Sequence, residues 1–241
     1  MKHKRKKIFV GLLILVLVGS IAGAAWWPGA VEASYPQVDG EINLPGLDGP
    51  VDVYRDASGI PHIYATTEHD LFMAQGYVHA QDRFWQMDFN RHVGGGRVSE
   101  LVGGSAIETD KFLRTMGWLR VAEEELKQID DNTRFVLESY SEGVNAYLAD
   151  HTGTDLALEY AFISLLNPGY EPQPWEPIHV ITWAKAMAWD LKSNMENEIF
   201  RSAYLQTMTP EQVNDLFPPY PEDRPVIVGD QSGFVSLQRS P

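Results

Sequence analysis

A hairpin pattern followed directly by a long, capped helical pattern constrains the fold of this chain more than any other feature. Val51 and Val53 alternate with polar residues, which is the two-residue period of a half-buried strand. Residues 56–59 contain the Asp and Gly that a tight turn needs, and residues 60–65 have the pattern of a second strand. Pro61 lies near the start of that strand and favours an edge position or an irregular beginning. These residues predict a β-hairpin.

The helical pattern begins at Thr67, which can cap a helix, and Asp70 stands at the capping-box position three residues later. Apolar residues then recur at spacings of 3, 4, 7 and 4, which places them on one face of a helix. They are Leu71, Ala74, Val78, Trp85 and Phe89. Three glycines at residues 94–96 end the pattern, because glycine accepts the left-handed conformation that closes a helix. The sequence therefore predicts one long helix that packs along a single stripe.

Three ordered motifs lie within this hairpin and helix region. They are Arg55-Asp56-x-x-Gly59-Ile60-Pro61-His62-Ile63, Gly76-Tyr77-x-His79-Ala80-Gln81-Asp82-Arg83 and Gly96-Arg97-x-Ser99-Glu100-Leu101. Together they resemble the penicillin acylase family, N-terminal-nucleophile amidases that cleave acyl groups from β-lactams, homoserine lactones and related amides. The likeness runs from about Val38 to about Pro225. It implies an α+β fold, in which this chain is the helix-rich small-subunit portion of a four-layer αββα sandwich with an N-terminal β-hairpin.

The amino terminus carries an export pattern. Five basic residues lie within residues 2–7, an apolar run covers residues 8–25, and Trp26 and Trp27 follow. A basic head before an apolar run is typical of a signal peptide. Eighteen helical residues would also span about 27 Å, close to the ~30 Å hydrocarbon core, and paired tryptophans suit its interface. We therefore expect a signal peptide or a membrane anchor, with the acylase region outside the cytoplasm.

Composition excludes several classes of function. The net charge is −14, and without residues 2–7 there are 14 basic against 33 acidic residues, or −19. Such an acidic surface repels nucleic acid, so we expect no nucleic-acid partner. The chain has no cysteine, which excludes disulfides, thiolate metal sites and cysteine nucleophiles.

Proline and glycine clusters suggest the organisation of the chain. We assign residues 1–33 to the signal peptide or anchor, 34–50 to a linker, 51–225 to the penicillin-acylase-like α region, and 226–241 to an unstructured tail or the start of a spacer. A proline-dense connector covers residues 167–175. Further helices are predicted over residues 114–128, 155–166 and 176–205, and a short helix is predicted to start at Thr209. Another helix is predicted to start at Asp130 or Asp131. Its buried stripe is formed by Val136, Tyr140, Val144 and Tyr147.

The family's nucleophile is a serine that becomes the first residue of the large subunit after self-cleavage, and its own α-amino group acts as the base. It follows a glycine and precedes an asparagine-rich segment. Ser232, Ser236 and Ser240 lie in other settings, so we assign no catalytic residue to this chain. The resemblance implies a large catalytic subunit from the same precursor and a small amide substrate as partners. A non-catalytic, membrane-attached remnant or accessory chain is the alternative.

The resemblance also assigns substrate-binding residues. Met187 and Ala188 match a Met-Ala pair that lines the family's acyl pocket, and Leu191 takes the place of an aromatic wall residue. Asp190 stands where well-studied members have an arginine, which changes the charge pattern beside that pocket. By spacing alone, Trp183, Met187 and Leu191 are instead ordinary core residues.

A calcium site is implied by the resemblance too. Glu198 matches the single small-subunit glutamate that helps to bind this ion, and Glu196 is the alternative ligand. Calcium takes six to eight oxygen ligands, so one carboxylate cannot hold it alone. The remaining ligands are expected from the large subunit.

Other polar residues are expected to stabilise the fold. His79 and Asp82 are three residues apart and can share a helix face, where a polar network is a better interpretation than a metal site. His62 is interpreted as structural. Several residues of the family motifs are expected to form buried ion pairs, which destabilise a protein strongly when one partner is removed. They are Arg55, Asp56, Asp82, Arg83 and Arg91.

Overall fold

The computed structural model describes residues 17–20, 23–191 and 195–218 of the chain. They belong to two compact units, Met1–Trp189 and Asp190–Pro241. Within the described residues the fold is helical apart from one hairpin, and its elements follow in chain order. They are β1 (Asp52–Arg55), β2 (Pro61–Tyr64), α1 (Glu68–Gly95), α2 (Ser99–Val102), α3 (Ile107–Met116), α4 (Trp118–Leu126), α5 (Asp131–Asp150), α6 (Tyr160–Leu166), α7 (Pro177–Asp190), α8 (Met195–Tyr204) and α9 (Pro210–Leu216).

The predicted β-hairpin is confirmed. β1 and β2 pair antiparallel, with Val53 opposite Ile63. The Asp56 carboxylate accepts hydrogen bonds from the N–H groups of Ser58 and Ile60, at 2.8 and 2.9 Å, and so closes the turn. The prediction of a half-buried first strand is wrong for this chain, since Val53 is 40% exposed. Alternation of apolar and polar residues shows that the two faces of a strand differ in polarity. It does not show whether the apolar face is covered by other residues of the same polypeptide.

Helix α1 begins and ends as predicted. The Thr67 hydroxyl accepts a hydrogen bond from the Asp70 N–H at 3.1 Å, and Gly96 closes the helix in the left-handed region with φ 62°. A break at Arg83, with φ −153°, divides the helix. The capping-box role of Asp70 is wrong, because its carboxylate accepts hydrogen bonds from the N–H groups of Asp48 and Gly49 instead. Asp70 therefore attaches the preceding linker to the helix.

The single apolar stripe of α1 is only partly correct. Ala74 and Val78 are buried, while the other three members are half-buried. More deeply buried positions lie elsewhere on the helix, including Ala80 and Phe84 in the main core cluster. α1 is thus covered on several sides, as a central helix is. The prediction missed this because buried polar residues of α1 have the sequence signature of a solvent-exposed face.

Helix α5 follows its prediction more closely and crosses α1 at very short range. Asp130 caps it by accepting a hydrogen bond from the Thr133 N–H at 2.9 Å, and the predicted stripe is buried or half-buried. A Cβ added to Gly143 would lie 1.8 Å from the Met73 carbonyl oxygen. A Cβ on Gly76 would lie 2.0 Å from the Tyr140 carbonyl oxygen. The two helices therefore pack backbone against backbone.

Other boundaries differ from the sequence prediction. Gly117, with φ 73°, separates α3 from α4, so one helix over residues 114–128 is wrong. A 3₁₀ turn at Gly153–Asp155 precedes a shortened α6. The helix predicted over residues 176–205 is observed as α7 and α8, and residues 192–194 lie outside the described range. The start of α9 is confirmed, with a capping box between Thr209 and Gln212.

Much of the predicted signal or anchor segment lies outside the described residues, which include 17–20 and 23–33, both helical. No helix among the described residues is both long and apolar enough to cross a membrane. The predicted tail at residues 226–241, with Ser232, Ser236 and Ser240, also lies outside the described range.

We expect Gly143→Ala to destabilise the first unit, because the added methyl group would force α1 and α5 apart. The expected loss is about 1–3 kcal/mol, although alanine is the better helix former by about 1 kcal/mol. Urea unfolding followed by far-ultraviolet circular dichroism measures it. Gly104→Ala is the control, since a Cβ there would meet nothing closer than Ile107 Cδ1 at 3.9 Å. Equal stability of both variants would contradict the backbone contact.

Candidate functional site

Helix α7 carries the predicted pocket residues and is anchored by one face. Thr182 is buried against α1, where a Cβ on Gly94 would lie 2.8 Å from the Thr182 Cβ. One turn later, Ala186 joins a buried cluster with Val98, Ala106, Leu113 and Trp118. Trp183 and Trp189 pack against the same cluster. This anchoring fixes which face of α7 is turned away from the core.

The outward face of α7 carries Met187 and Ala188. Met187 is 44% exposed and Ala188 is also exposed. In the second unit, Leu191 is 73% exposed. The alternative that Met187 and Leu191 are ordinary core residues is therefore wrong for this chain, whereas Trp183 does pack against the core. Exposure leaves these side chains available to line a pocket, and their assignment to an acyl pocket remains a prediction.

Glu198 lies in α8 and its side chain is exposed, as is that of Glu196. A carboxylate suits calcium, which prefers oxygen ligands. Within the described residues, the one group of three potential ligands within 4.8 Å of one another is Asp48, His69 and Asp70, in the first unit. That group offers an imidazole and a carboxylate already bound to two N–H groups, which suits calcium poorly. Glu198 is not part of that group, and its assignment as a calcium ligand remains a prediction.

A buried polar network connects α1 to the connector that precedes α7. Asp88 and Arg91 form a fully buried ion pair, with Arg91 Nε donating to Asp88 Oδ1 at 2.7 Å. Tyr160 and Tyr170 donate their hydroxyls to Asp88 Oδ2 at 2.6 and 2.8 Å. Arg91 Nη1 donates to the carbonyl of Gln173 at 2.8 Å. The connector is thus bonded to the centre of the first unit.

Trp175 gives the connector a second attachment. Asn145 Nδ2 donates to the backbone carbonyl of Trp175 at 2.9 Å, and the backbone N–H of Trp175 donates to Asn145 Oδ1 at 2.6 Å. The indole is buried, and the Arg91 guanidinium carbon lies 5.6 Å from its ring centroid. Because α7 starts two residues later, these bonds set the position of the helix that carries Met187 and Ala188.

Protonation states in this network follow from burial. Burial and the neighbouring Asp88 carboxylate raise the pKa values of Tyr160 and Tyr170, so both hydroxyls remain donors. Burial, with the positive charges of Arg91 and Arg97, lowers the pKa of His179 to about 3. His179 Nδ1 accepts a hydrogen bond from the Glu176 N–H at 3.0 Å, which requires that nitrogen to be unprotonated. The arrangement is suited to holding structure, since each of these groups is committed to a partner.

The ion-pair prediction is confirmed for only some of its residues. Arg55 binds Asp82 with two hydrogen bonds, of 2.7 and 3.0 Å, and both side chains are part-buried. Arg91 is buried, but its partner is Asp88, which the sequence analysis did not single out. Asp56 is exposed and bonds to its own turn, and Arg83 is exposed at the break in α1.

The polar-network interpretation of His79 is confirmed. His79 Nδ1 lies 3.0 Å from the Tyr140 hydroxyl, while Asp82 binds Arg55. The two side chains therefore have different partners, which disfavours a shared metal site. His62 lies 3.6 Å from the Asp56 carboxylate across the hairpin turn, in keeping with a structural role.

Sequence reasoning missed Asp88, Tyr160, Tyr170 and His179. One signal was present, because Asp88 and Arg91 are an acid and a base three residues apart, the spacing at which side chains meet on a helix. The tyrosine partners of Asp88, in contrast, come from segments more than 70 residues away. Local periodicity cannot identify such partners.

Comparison with known proteins agrees with this fold. Residues 50–238 match the Penicillin amidase family model, which covers most of the chain. The chain belongs to the penicillin amidase family. Among its relatives, the Penicillin acylase 2 proenzyme of Pseudomonas sp. (strain SE83) is 41% identical over 152 residues, which are 63% of this chain and 19% of that protein. The acyl-homoserine lactone acylase QuiP of Pseudomonas aeruginosa is 32% identical over 210 residues, which are 86% of this chain and 24% of that protein.

This penicillin amidase family chain therefore spans a quarter or less of the length of these curated relatives. A solved structure of a thermostable penicillin G acylase from Alcaligenes faecalis matches with a TM-score of 0.58 and 24% identity. The match covers 75% of this chain and 97% of that chain. It confirms the predicted α+β fold, a helix-rich portion of the N-terminal-nucleophile hydrolase architecture with a β-hairpin.

We expect Asp88→Asn to cost about 3–5 kcal/mol of unfolding free energy, because it leaves the Arg91 guanidinium buried without its counter-charge. Urea unfolding measures the loss. Glu125→Gln is the control, since Glu125 pairs with Lys185 at a more exposed site and should cost below about 1 kcal/mol. Similar losses in the two variants would show that burial does not strengthen the Asp88 pair.

His179 should make the first unit sensitive to acid. Its folded pKa of about 3 lies below the unfolded value of 6.5, so its stabilising contribution is present above pH 6.5 and is lost as pH falls towards 3. As the pH falls from about 6.5 to about 4, protonation of His179 in the unfolded state shifts the equilibrium towards unfolding by a factor on the order of a hundred. His179→Asn, which keeps an acceptor, should remove that part of the pH dependence in urea titrations. His62→Asn, at an exposed site, should leave it unchanged, and parallel curves for His179→Asn and wild type would refute the assignment.

Proposed function

We propose that this chain is the small-subunit part of an exported amidase of the penicillin acylase type. The enzyme hydrolyses the acyl amide of a β-lactam, an N-acyl homoserine lactone or a similar amide to an acid and an amine. Its nucleophilic serine lies on a large subunit made from the same precursor. One observation carries the proposal: the chain covers 97% of a penicillin G acylase chain of known structure but only 19–24% of curated acylase relatives. That pattern is expected of one subunit.

Exposed apolar surface supports a large partner. In the first unit, the hairpin exposes Val53, Tyr54 and Tyr64. In the second unit, Ile199 and Phe200 are each about half exposed on α8. Contiguous exposed apolar residues are typical of surfaces that another chain covers. A catalytic subunit would bury both sets of residues.

In this proposal, Met187 and Ala188 of the first unit form part of the wall of the acyl pocket. Leu191 of the second unit is proposed as a substrate-binding residue from the family resemblance alone, which implies an aromatic residue at its position. These apolar groups bind the acyl chain and exclude water from the scissile amide. The chemical step belongs to the serine of the partner subunit, whose α-amino group accepts its proton.

Glu198 would supply one carboxylate to a calcium ion shared with the large subunit, and Glu196 is the alternative ligand. The exposed position of Glu198 on α8 supports this assignment, because a shared site needs a ligand that the partner can reach. Bound calcium would stabilise the association of the two chains.

A non-catalytic, membrane-attached remnant or accessory chain is the second candidate. The observation that favours it is that the 241 residues contain no serine between a glycine and an asparagine. The gene beyond codon 241 distinguishes the two: an in-frame Gly-Ser-Asn segment supports the enzyme, and a stop codon without a partner gene supports the remnant.

We expect the full-length precursor to hydrolyse at least one of phenylacetyl, aliphatic acyl and homoserine lactone amides, and the 241-residue chain alone to hydrolyse none. Product amine released per unit time measures the activity.

In the active enzyme, Met187→Ala should lower kcat/KM by about tenfold for the preferred acyl group. Ile107→Ala, at a residue of similar exposure on α3, is the control and should have no effect. Hydrolysis by the short chain alone would overturn the proposal.

A further inference from the structure

Helix α6 has an apolar ridge on its outer side. Tyr160 and Ile163 are buried, but Phe162, Leu165 and Leu166 are 55%, 78% and 61% exposed. The helix sequence, YAFISLL, contains no charged residue. A charge-free ridge of this kind on the surface of an otherwise strongly acidic chain marks a contact surface.

The ridge continues into the N-terminal helical residues 23–33. The ring of Trp27 lies edge-on to the ring of Phe162, with centroids 6.4 Å apart, and the Trp26 ring lies 6.4 Å from that of Trp27. Both tryptophans are about half exposed. Trp26 and Trp27 with Phe162, Leu165 and Leu166 therefore form one exposed surface, which we call the α6 patch.

The chain itself indicates what covers the α6 patch. The apolar run of residues 8–25 ends immediately before Trp26, and five basic residues precede that run. Eighteen residues suffice to cross the hydrocarbon core of a bilayer, and a basic head favours the cytoplasmic side. Tryptophan prefers the membrane interface, so Trp26 and Trp27 would mark the opposite interface. Phe162 touches Trp27 and lies at that same level.

We propose that the α6 patch is a membrane-contact surface, seated in the headgroup region of the bilayer on the side of the membrane that faces away from the basic head. Aromatic and leucine side chains on an uncharged helix surface are the chemistry that inserts at such an interface. This inference depends on retention of the N-terminal segment and is independent of the proposed amidase activity. The large subunit is the competing occupant.

A pair of spin-labelled variants tests the proposal. The chain has no cysteine, so a single cysteine gives one labelling site. Ser164→Cys places a nitroxide on α6 and keeps all five residues of the patch. Ser105→Cys is the matched control, because both serines are exposed and each donates to a backbone carbonyl three residues earlier. Electron paramagnetic resonance on the full chain then compares collisions with oxygen and with a polar nickel chelate.

With vesicles of phosphatidylethanolamine and phosphatidylglycerol, we expect the residue 164 label to gain oxygen collisions and lose nickel collisions, and the residue 105 label to show no change. Phe162→Ser, Leu165→Ser and Leu166→Ser together should abolish the change at residue 164, while the N-terminal run keeps the chain on the vesicles. An unchanged residue 164 label on a chain that co-sediments with vesicles would overturn the proposal, because the N-terminal run alone would then hold the chain. Shielding of residue 164 in the two-subunit enzyme without vesicles would overturn it in favour of the large subunit.

Discussion

The buried pair of Asp88 and Arg91 holds together segments of the first unit that are far apart in the sequence. Asp88 receives two tyrosine hydroxyls, and Arg91 donates to the backbone of the connector. An ion pair removed from water is tolerated when its remaining hydrogen-bonding capacity is satisfied. Most of that capacity is satisfied here: the two tyrosines donate to Asp88, and two connector carbonyls accept from Arg91 Nη1. Arg91 Nη2 has no hydrogen-bond partner beyond its 2.7 Å ion pair with Asp88. The position of α7 therefore depends on bonds made at the centre of α1.

Close helix contacts complete that arrangement. Gly76 and Gly143 let α1 and α5 touch through their backbones, and Gly94 lets Thr182 of α7 approach α1. These contacts concentrate the packing on the inner faces of the helices. The outer face of α7 keeps Met187 in contact with solvent, and strand β1 exposes Val53.

Elements whose signals are local were predictable. Thr67, Asp130 and Thr209 cap helices because each side chain bonds within its own first turn. The hairpin turn at Asp56 depends on the same kind of short-range bond. The attachment of Asp70 to the linker was missed, since it depends on how a neighbouring segment packs. The break at Gly117 was missed although its signal is local, a glycine that closes α3 in the left-handed region. The same division applies to the candidate site. The family resemblance predicted Met187 as a substrate-binding residue, and only the structure placed its side chain on the outer face of α7.

The sequence by itself determined the hairpin, the main helices, the acidic surface and the family, because turn residues, caps, periodicity and ordered motifs act over short stretches of chain. Only the tertiary structure decided that Asp88 lies inside as the partner of Arg91 and that Val53 and Met187 lie outside. Burial is a property of what surrounds a side chain. Two of the groups that bind Asp88, the hydroxyls of Tyr160 and Tyr170, are contributed by residues more than 70 positions away, where no local pattern reaches.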